Sequence, residues 1–224
     1  MVKYLEVLQK CPLFAKISPP ELASMLRCLG ARERQYAAGE SIMRAGEPAE
    51  AVALVLAGRV QVAFTDAGGE RTLLSEMRPG DMFAETFACA SGAHKLLPVT
   101  VDAAADSVVL LMDYRRIITV CPSACTFHSR LIENMLSVLA DKNLLLCRRL
   151  SHLSKRTTRD KLLSYLHEQA QLAGSPAFDI PFDRQELADY LGVERSAMSA
   201  VLSKLQKEGV LETKRQHFVL NDPR

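Results

Sequence analysis

The sequence predicts an α+β chain of two domains joined by one long helix. Three observations point there. Short runs rich in branched apolar residues, punctuated by glycines, fill the stretch from Arg32 to Asp113. An apolar repeat with a seven-residue period then runs from Pro122 to about Leu150. Beyond it, two short helical patterns flank a glycine, and a pair of strand patterns follows. The expected boundaries are 1–121 for the first domain, 122–154 for the helix with a hinge, and 155–224 for the second domain.

Composition sets the outer limits. Hydrophobic residues make up 48% of 224, enough for two cores, and the net charge is only +2. Lys and Arg number 13 against 14 Asp and Glu over residues 1–120, and 13 against 10 over residues 148–224. The basic excess gathers at Arg148, Arg149, Lys155, Arg156, Arg159 and Lys161, a weak sign of an acidic partner for the second half. No apolar run approaches a membrane span and the N-terminus lacks a charged-then-apolar leader, so a cytoplasmic protein without membrane contact is expected. The six cysteines show no framework spacing and are expected as thiols.

Val2 to about Leu29 reads as short helices. Ser18 followed by Pro19, Pro20 and Glu21 is a good helix entry, and Leu22, Met25 and Leu26 give it an apolar face. The strand candidates that follow are 51–56, 60–64, 72–74, 99–101 and 108–112. Gly39, Gly46, Gly58, Gly68, Gly69 and Gly80 stand at the turns between and around them. Many short strands at regular spacing suggest a closed or sandwiched β structure such as a jelly roll.

In the long helix Ile132, Leu136, Leu139, Leu146 and Leu150 are spaced as a coiled-coil seam. Asn143 occupies an a position, where a polar residue fixes register. A second stripe, Phe127, Leu131, Met135, Val138 and Leu145, lies partly on another face. The helix is expected to pair with its twin and to pack on its own domain. A purely intramolecular core helix is the competing reading, set behind because the seam is long and regularly spaced.

Ser151 to Arg156 breaks the apolar register and is expected to be a hinge. Thr157–Asp160 then opens a helix with Leu162, Leu163 and Leu166 inward, and residues 178–181 form a short strand. Asp183 to Glu186 is a capping box. Leu187, Ala188 and Leu191 continue that helix, and Gly192 turns the chain. In the next helix Met198, Val201, Leu202 and Leu205 should be buried, leaving Arg195, Ser196, Ser199 and Ser203 outward. Residues 209–213 and 217–220, joined through Lys214 and Arg215, make a basic hairpin wing. A helix, glycine turn, second helix and wing are the parts of a DNA reader whose second helix enters the major groove. The candidate DNA contacts are Arg184, Gln185, Arg195, Ser196, Ser199, Ser203, Lys214 and Arg215.

The strand region also contains Ala38-Gly-Glu-Ser-Ile42, Gly46-Glu47, Leu56-Ala-Gly58-Arg-Val60 and Arg78-Pro-Gly-Asp-Met-Phe-Ala-Glu85. These resemble the cyclic-nucleotide-binding β-roll. With the long helix and the C-terminal motif, the whole chain resembles the CRP/FNR family of bacterial transcription regulators. That resemblance implies an N-terminal β-roll sensor, a dimerisation helix and a winged helix-turn-helix. It also implies a homodimer on a near-palindromic double-stranded operator, with RNA polymerase as a further partner. The recognition helix departs from the family after Arg195: Ser196 replaces a glutamate common in cyclic-AMP-responsive members, and Ala200 stands where many have a second arginine.

The sensor departs as well. Nucleotide-binding relatives carry Gly-Glu for the ribose and then Arg-Ser or Arg-Thr for the cyclic phosphate. Here Ala84-Glu85 stands for the first pair, and Leu97 and Pro98 stand about where the second would be. Leucine offers no side-chain donor and proline lacks its backbone N–H. Lys95 supplies a point charge but no bidentate fork. An effector other than cyclic AMP, or none, is expected, with Ala84, Glu85, Lys95, Leu97, Pro98, Leu131 and Met135 as its candidate surroundings.

Cys121, Cys125 and His128 cluster at the start of the long helix. Metal, haem or thiol sensing is one reading. The structural reading stands ahead of it, because two thiols and one imidazole fall short of a closed zinc site. No nucleophile–base or metal-catalytic motif is recognisable, so an enzyme is not expected. The remaining alternative is a ligand-binding or redox/haem-sensing module whose C-terminal domain contacts protein rather than DNA.

Overall fold

The computed structural model describes residues 2–90, 92, 96–118 and 126–221. The chain forms two compact units, Met1–Ala140 and Asp141–Arg224.

The first unit begins with helices. α1 (Leu5–Lys10), a 3-10 turn (Pro12–Phe14) and α2 (Pro19–Cys28) bury Leu8, Leu13, Phe14, Leu22, Met25 and Leu26. At the entry to α2 both the backbone N–H and the hydroxyl of Ser18 donate to Glu21 Oε2, at 2.9 and 2.7 Å. Those two bonds favour the ionised carboxylate and lower the Glu21 pKa.

Two four-stranded antiparallel sheets follow. One has β1 (Arg32–Tyr36), β8 (Ser107–Asp113), β3 (Ala51–Ala57) and β6 (Met82–Phe83) in that spatial order. The other has β2 (Ser41–Met43), β7 (Thr100–Ala103), β4 (Val60–Thr65) and β5 (Arg71–Met77). Val60, Val101 and Ala103 meet Tyr36, Ala53, Val55, Phe83 and Val109 between the sheets. On its other face β3 packs Val52, Leu54 and Leu56 against the helical layer. Burial on both faces explains why β3 reads as an unbroken apolar run rather than an alternation.

The expected β-roll is therefore present, with all five strand candidates inside it. β1 was not among them: its sequence Arg-Glu-Arg-Gln-Tyr exposes every residue but the last, so no apolar pattern announces it. Gly58 closes the β3–β4 turn at φ +85°, and a Cβ there would lie 2.3 Å from the Asp106 carbonyl oxygen. Only glycine fits that approach without backbone movement. Two short helices complete the unit, α3 (Glu85–Ala88) and α4 (Tyr114–Ile118).

α5 (Thr126–Leu153) is the long helix, 28 residues and about 42 Å. Its first turns belong to the first unit. Leu131 and Met135 are buried, and Asn134 Nδ2 donates to the carbonyls of Leu13 and Ala15 at 2.9 Å each. The expected start at Pro122 lies outside the described residues. Of the expected hinge over 151–156, Ser151–Leu153 close α5, and Ser154–Arg156 lie in the short link, Ser154–Thr157, before the next helix. His152 broke the apolar register, yet it is buried and satisfied by polar partners.

The second unit contains α6 (Thr158–Ala173), β9 (Ala177–Asp179), α7 (Arg184–Leu191), α8 (Arg195–Lys207), β10 (Leu211–Lys214) and β11 (His217–Leu220). The strands form one sheet in the order β10-β11-β9. Its core joins Leu162, Tyr165 and Leu166 to Leu187, Leu191, Met198, Leu202, Leu205 and Phe218. Among the described residues no helix is long and apolar enough to cross a membrane.

Candidate nucleic-acid interface and sensor site

The capping box that opens α7 is formed. The Asp183 carboxylate accepts from the N–H groups of Gln185 and Glu186 at 2.7 and 2.9 Å, and Glu186 accepts from Asp183 N–H at 2.8 Å. Gly192 ends the helix at φ +58°, a left-handed conformation that turns the chain into α8. Met198, Leu202 and Leu205 anchor α8 from below, with Val201 half-buried beside them. Arg195, Ser196, Ser199 and Ser203 are all exposed.

The exposed face is not uniform. Arg195 has no partner among the described residues. Ser203 donates to the Ser199 carbonyl at 3.0 Å, and Ser196 lies 3.4 Å from the Glu194 carboxylate. The hydroxyls of Ser196 and Ser203 thus have partners on or beside their own helix, while Arg195 projects from its first turn.

Lys214 and Arg215 are exposed at the tip of the β10–β11 hairpin, where Arg215 takes φ +58°. Gln185 is exposed and donates to Asp189 at 2.9 Å. Arg184 has an internal role: its guanidinium donates to Thr213 Oγ1 at 2.8 Å and stacks 4.9 Å from the Phe218 ring. It ties α7 to the wing, and burial lowers its pKa.

Sequence reading missed how α5 enters this unit. Arg149 Nε donates to the Tyr190 carbonyl at 3.2 Å and stacks over the Tyr190 ring at 5.1 Å. His152, 3% exposed, lies 2.8 Å from both Ser164 Oγ and Glu168 Oε2. Burial also pushes the hydroxyls of Tyr165 and Tyr190 up in pKa. A positive residue and a histidine on a helix carry no pattern that foretells such partners.

In the sensor, Ala84 adopts φ +65°, the left-handed region where a glycine would sit without strain. Glu85 follows it, 3% exposed, with Thr86 Oγ1 donating to its Oε1 at 3.4 Å. Leu97 is buried and its backbone is fastened on both sides, N–H to the Glu47 carbonyl and C=O to the Gly46 N–H. Pro98 is exposed. Leu97, Leu131 and Met135 share one apolar cluster with α1 and α2. Lys95, Cys121 and Cys125 lie outside the described residues. His128 is 5% exposed, and its Nε2 is 2.9 Å from the Ile117 carbonyl, to which it donates. Among the described residues no group of three or more His, Cys, Asp or Glu could hold a metal ion.

Comparison with known proteins agrees with this architecture. The sequence model for the cyclic nucleotide-binding domain matches residues 33–123, and that for the Crp-like helix-turn-helix domain matches residues 146–224. The transcriptional activator protein FnrL of Cereibacter sphaeroides is 30% identical over 203 residues, covering 84% of this chain and 76% of its own. The cyclic AMP receptor protein of Thermus thermophilus is 27% identical over 200 residues, covering 89% and 88%. Among solved structures, the Thermus thermophilus catabolite activator protein aligns with a TM-score of 0.51 at 23% identity, over 95% of this chain and 94% of that one. OCPA-complexed CprK aligns with a TM-score of 0.62 at 14% identity, over 90% and 89%.

Proposed function

Because this chain belongs to the CRP/FNR family of transcription regulators, we propose that it is a homodimeric, sequence-specific DNA-binding regulator controlled by a small effector other than cyclic AMP. The observation behind the DNA reading is the outer face of α8, where Arg195, without a partner among the described residues, stands among small exposed residues above an underside anchored by Met198, Leu202 and Leu205. A guanidinium so placed can read guanine O6 and N7 in the major groove. Lys214 and Arg215 in the wing suit phosphates.

Dimerisation is supported by α5. Leu136, Leu146 and Leu150 are 62%, 61% and 64% exposed in the single chain. They occupy seam positions around the exposed Asn143, and a second copy would cover them. Ile132 and Leu139 are half-buried, and Leu139 also packs on the sensor core. Two such chains would present two recognition helices to a near-palindromic operator, with RNA polymerase as the partner that reads the outcome.

The effector reading rests on Leu97 and Pro98, which offer no charge-assisted donor to a cyclic phosphate. One relative is described as a cyclic AMP receptor and one similar fold as OCPA-complexed, so the shared fold leaves the ligand open. Selection of binding sites from a random duplex library tests the regulator. Enrichment of a two-fold-related motif is expected, and enrichment of none would overturn the proposal. Calorimetry tests the effector statement, and micromolar binding of cyclic AMP would refute it.

A further inference from the structure

A cleft of about 450 Å³ opens on the first unit, away from Glu85, Leu97, Leu131 and Met135, none of which lines it. Arg32 and Arg34 of β1 and Arg115 and Arg116 of α4 contribute to its wall, together with Asp113 and Tyr114. Arg32 pairs across the sheet with Leu111 and Arg34 with Val109, so both arginines share the face that continues into the core between the sheets. Their Cα atoms are about 7 Å apart on the strand, a spacing that suits separate oxyanion groups.

The charges do not cancel. Asp113 is matched to Arg116 at 3.6 Å, and Glu50 is the other acid of the lining. With Arg116 matched to Asp113 and Arg115 already engaged, Arg32 and Arg34 against Glu50 leave the cleft positive. Neither Arg32 nor Arg34 has a hydrogen-bond or ion-pair partner among the described residues. Tyr114 and Leu111 supply an apolar wall beside them.

The cleft is also mechanically connected. Arg116 reaches the Cys28 carbonyl at the end of α2, at 3.5 Å. One residue further along α4, the Ile117 carbonyl accepts from the buried His128 of α5 at 2.9 Å. A ligand that draws in the α4 arginines therefore pulls on a short helix clipped to the long one.

We propose that this cleft binds a small polyanion, phosphate-based or polycarboxylate, and that its occupancy reaches α5 through the Ile117–His128 bond. This rests on the regulator reading only for its purpose, since the test uses no DNA. The full chain is titrated calorimetrically with pyrophosphate and with citrate, which separates the two chemistries. Binding of one of them at submillimolar concentration is expected. Arg32→Gln with Arg34→Gln should weaken it by at least about tenfold, whereas Arg78→Gln, at an exposed residue between β5 and β6 that does not line the cleft, should not.

In the same samples, saturation should slow amide hydrogen exchange at 127–135. His128→Phe should keep the affinity and lose that slowing. His128→Gln, whose amide can still donate to Ile117, should retain part of it. Failure of both anions to bind, or equal binding by the Arg32 and Arg34 double variant, overturns the site and leaves the arginines as edge-strand charges. Undiminished slowing in both His128 variants overturns the relay.

Discussion

His152 Nε2 lies 2.8 Å from Glu168 Oε2, and the other oxygen of that carboxylate is 3.3 Å from Arg148 Nε. A carboxylate only accepts, so Nε2 carries a proton and bridges the last turn of α5 to α6 across the short link between them. Ser164 holds the other ring nitrogen at 2.8 Å.

His152→Ala should therefore destabilise the second unit by about 2 kcal/mol, since it removes two bonds, one of them to a charged group. His152→Gln should recover part of that loss. Urea unfolding followed through the fluorescence of Tyr165 and Tyr190, which pack near the imidazole, provides the measurement. A change below about 0.5 kcal/mol would show that the link does not depend on this bridge.

Ala84→Gly should stabilise the first unit by about 0.5–1 kcal/mol. The Ala84 backbone already has φ +65°, so removing the Cβ relieves strain, offset in part by the greater freedom of glycine in the unfolded chain. Paired thermal melts of the two proteins suffice, and a lower melting temperature for the glycine variant would refute this account.

Leu146→Glu should leave the chain monomeric where the proposed dimer would form. Leu146 is 61% exposed in one chain, so the substitution damages no internal packing and sets like charges across the seam. Leu139 is a poorer probe because it also packs on the sensor core. Sedimentation at micromolar concentration decides the matter: a wild type that sediments as a monomer removes the seam from the proposal.

Arg195→Ala should cost about 1–3 kcal/mol in operator affinity and relax preference at one base in each half-site. Loss of Lys214 and Arg215 should weaken all sequences alike and flatten the dependence on salt. Repeating the duplex selection with Arg195→Ala separates the two roles. An unchanged base preference would show that Arg195 does not read sequence.

Legibility in the sequence followed the physics of each residue. α7 and the turn after it were readable because Asp183, Glu186 and Gly192 act locally, through bonds two or three residues away and a backbone angle. β1 was unreadable because its pairing with β8 uses backbone groups, while its side chains before Tyr36 are polar or charged and exposed. The cleft that β1 helps to line was hidden with it. Arg184 looked like any exposed cation at a helix start, and only the fold places Thr213 and Phe218 against it. Leu131 and Met135 follow the helical spacing, but spacing alone does not distinguish a residue facing a ligand from one that only fills the apolar cluster they share with Leu13 and Phe14.

β3 has one more consequence, for how this chain can vary over time. Along most sheet strands every second position faces water and drifts freely. Val52, Ala53, Leu54, Val55 and Leu56 are each 2% exposed or less, divided between two separate cores. Shortening any of the larger ones opens a cavity, and enlarging Ala53 forces the two sheets apart. A saturation scan of this strand should therefore show a solid block of intolerance with no two-residue rhythm, an imprint that sequences descended from this one should also carry.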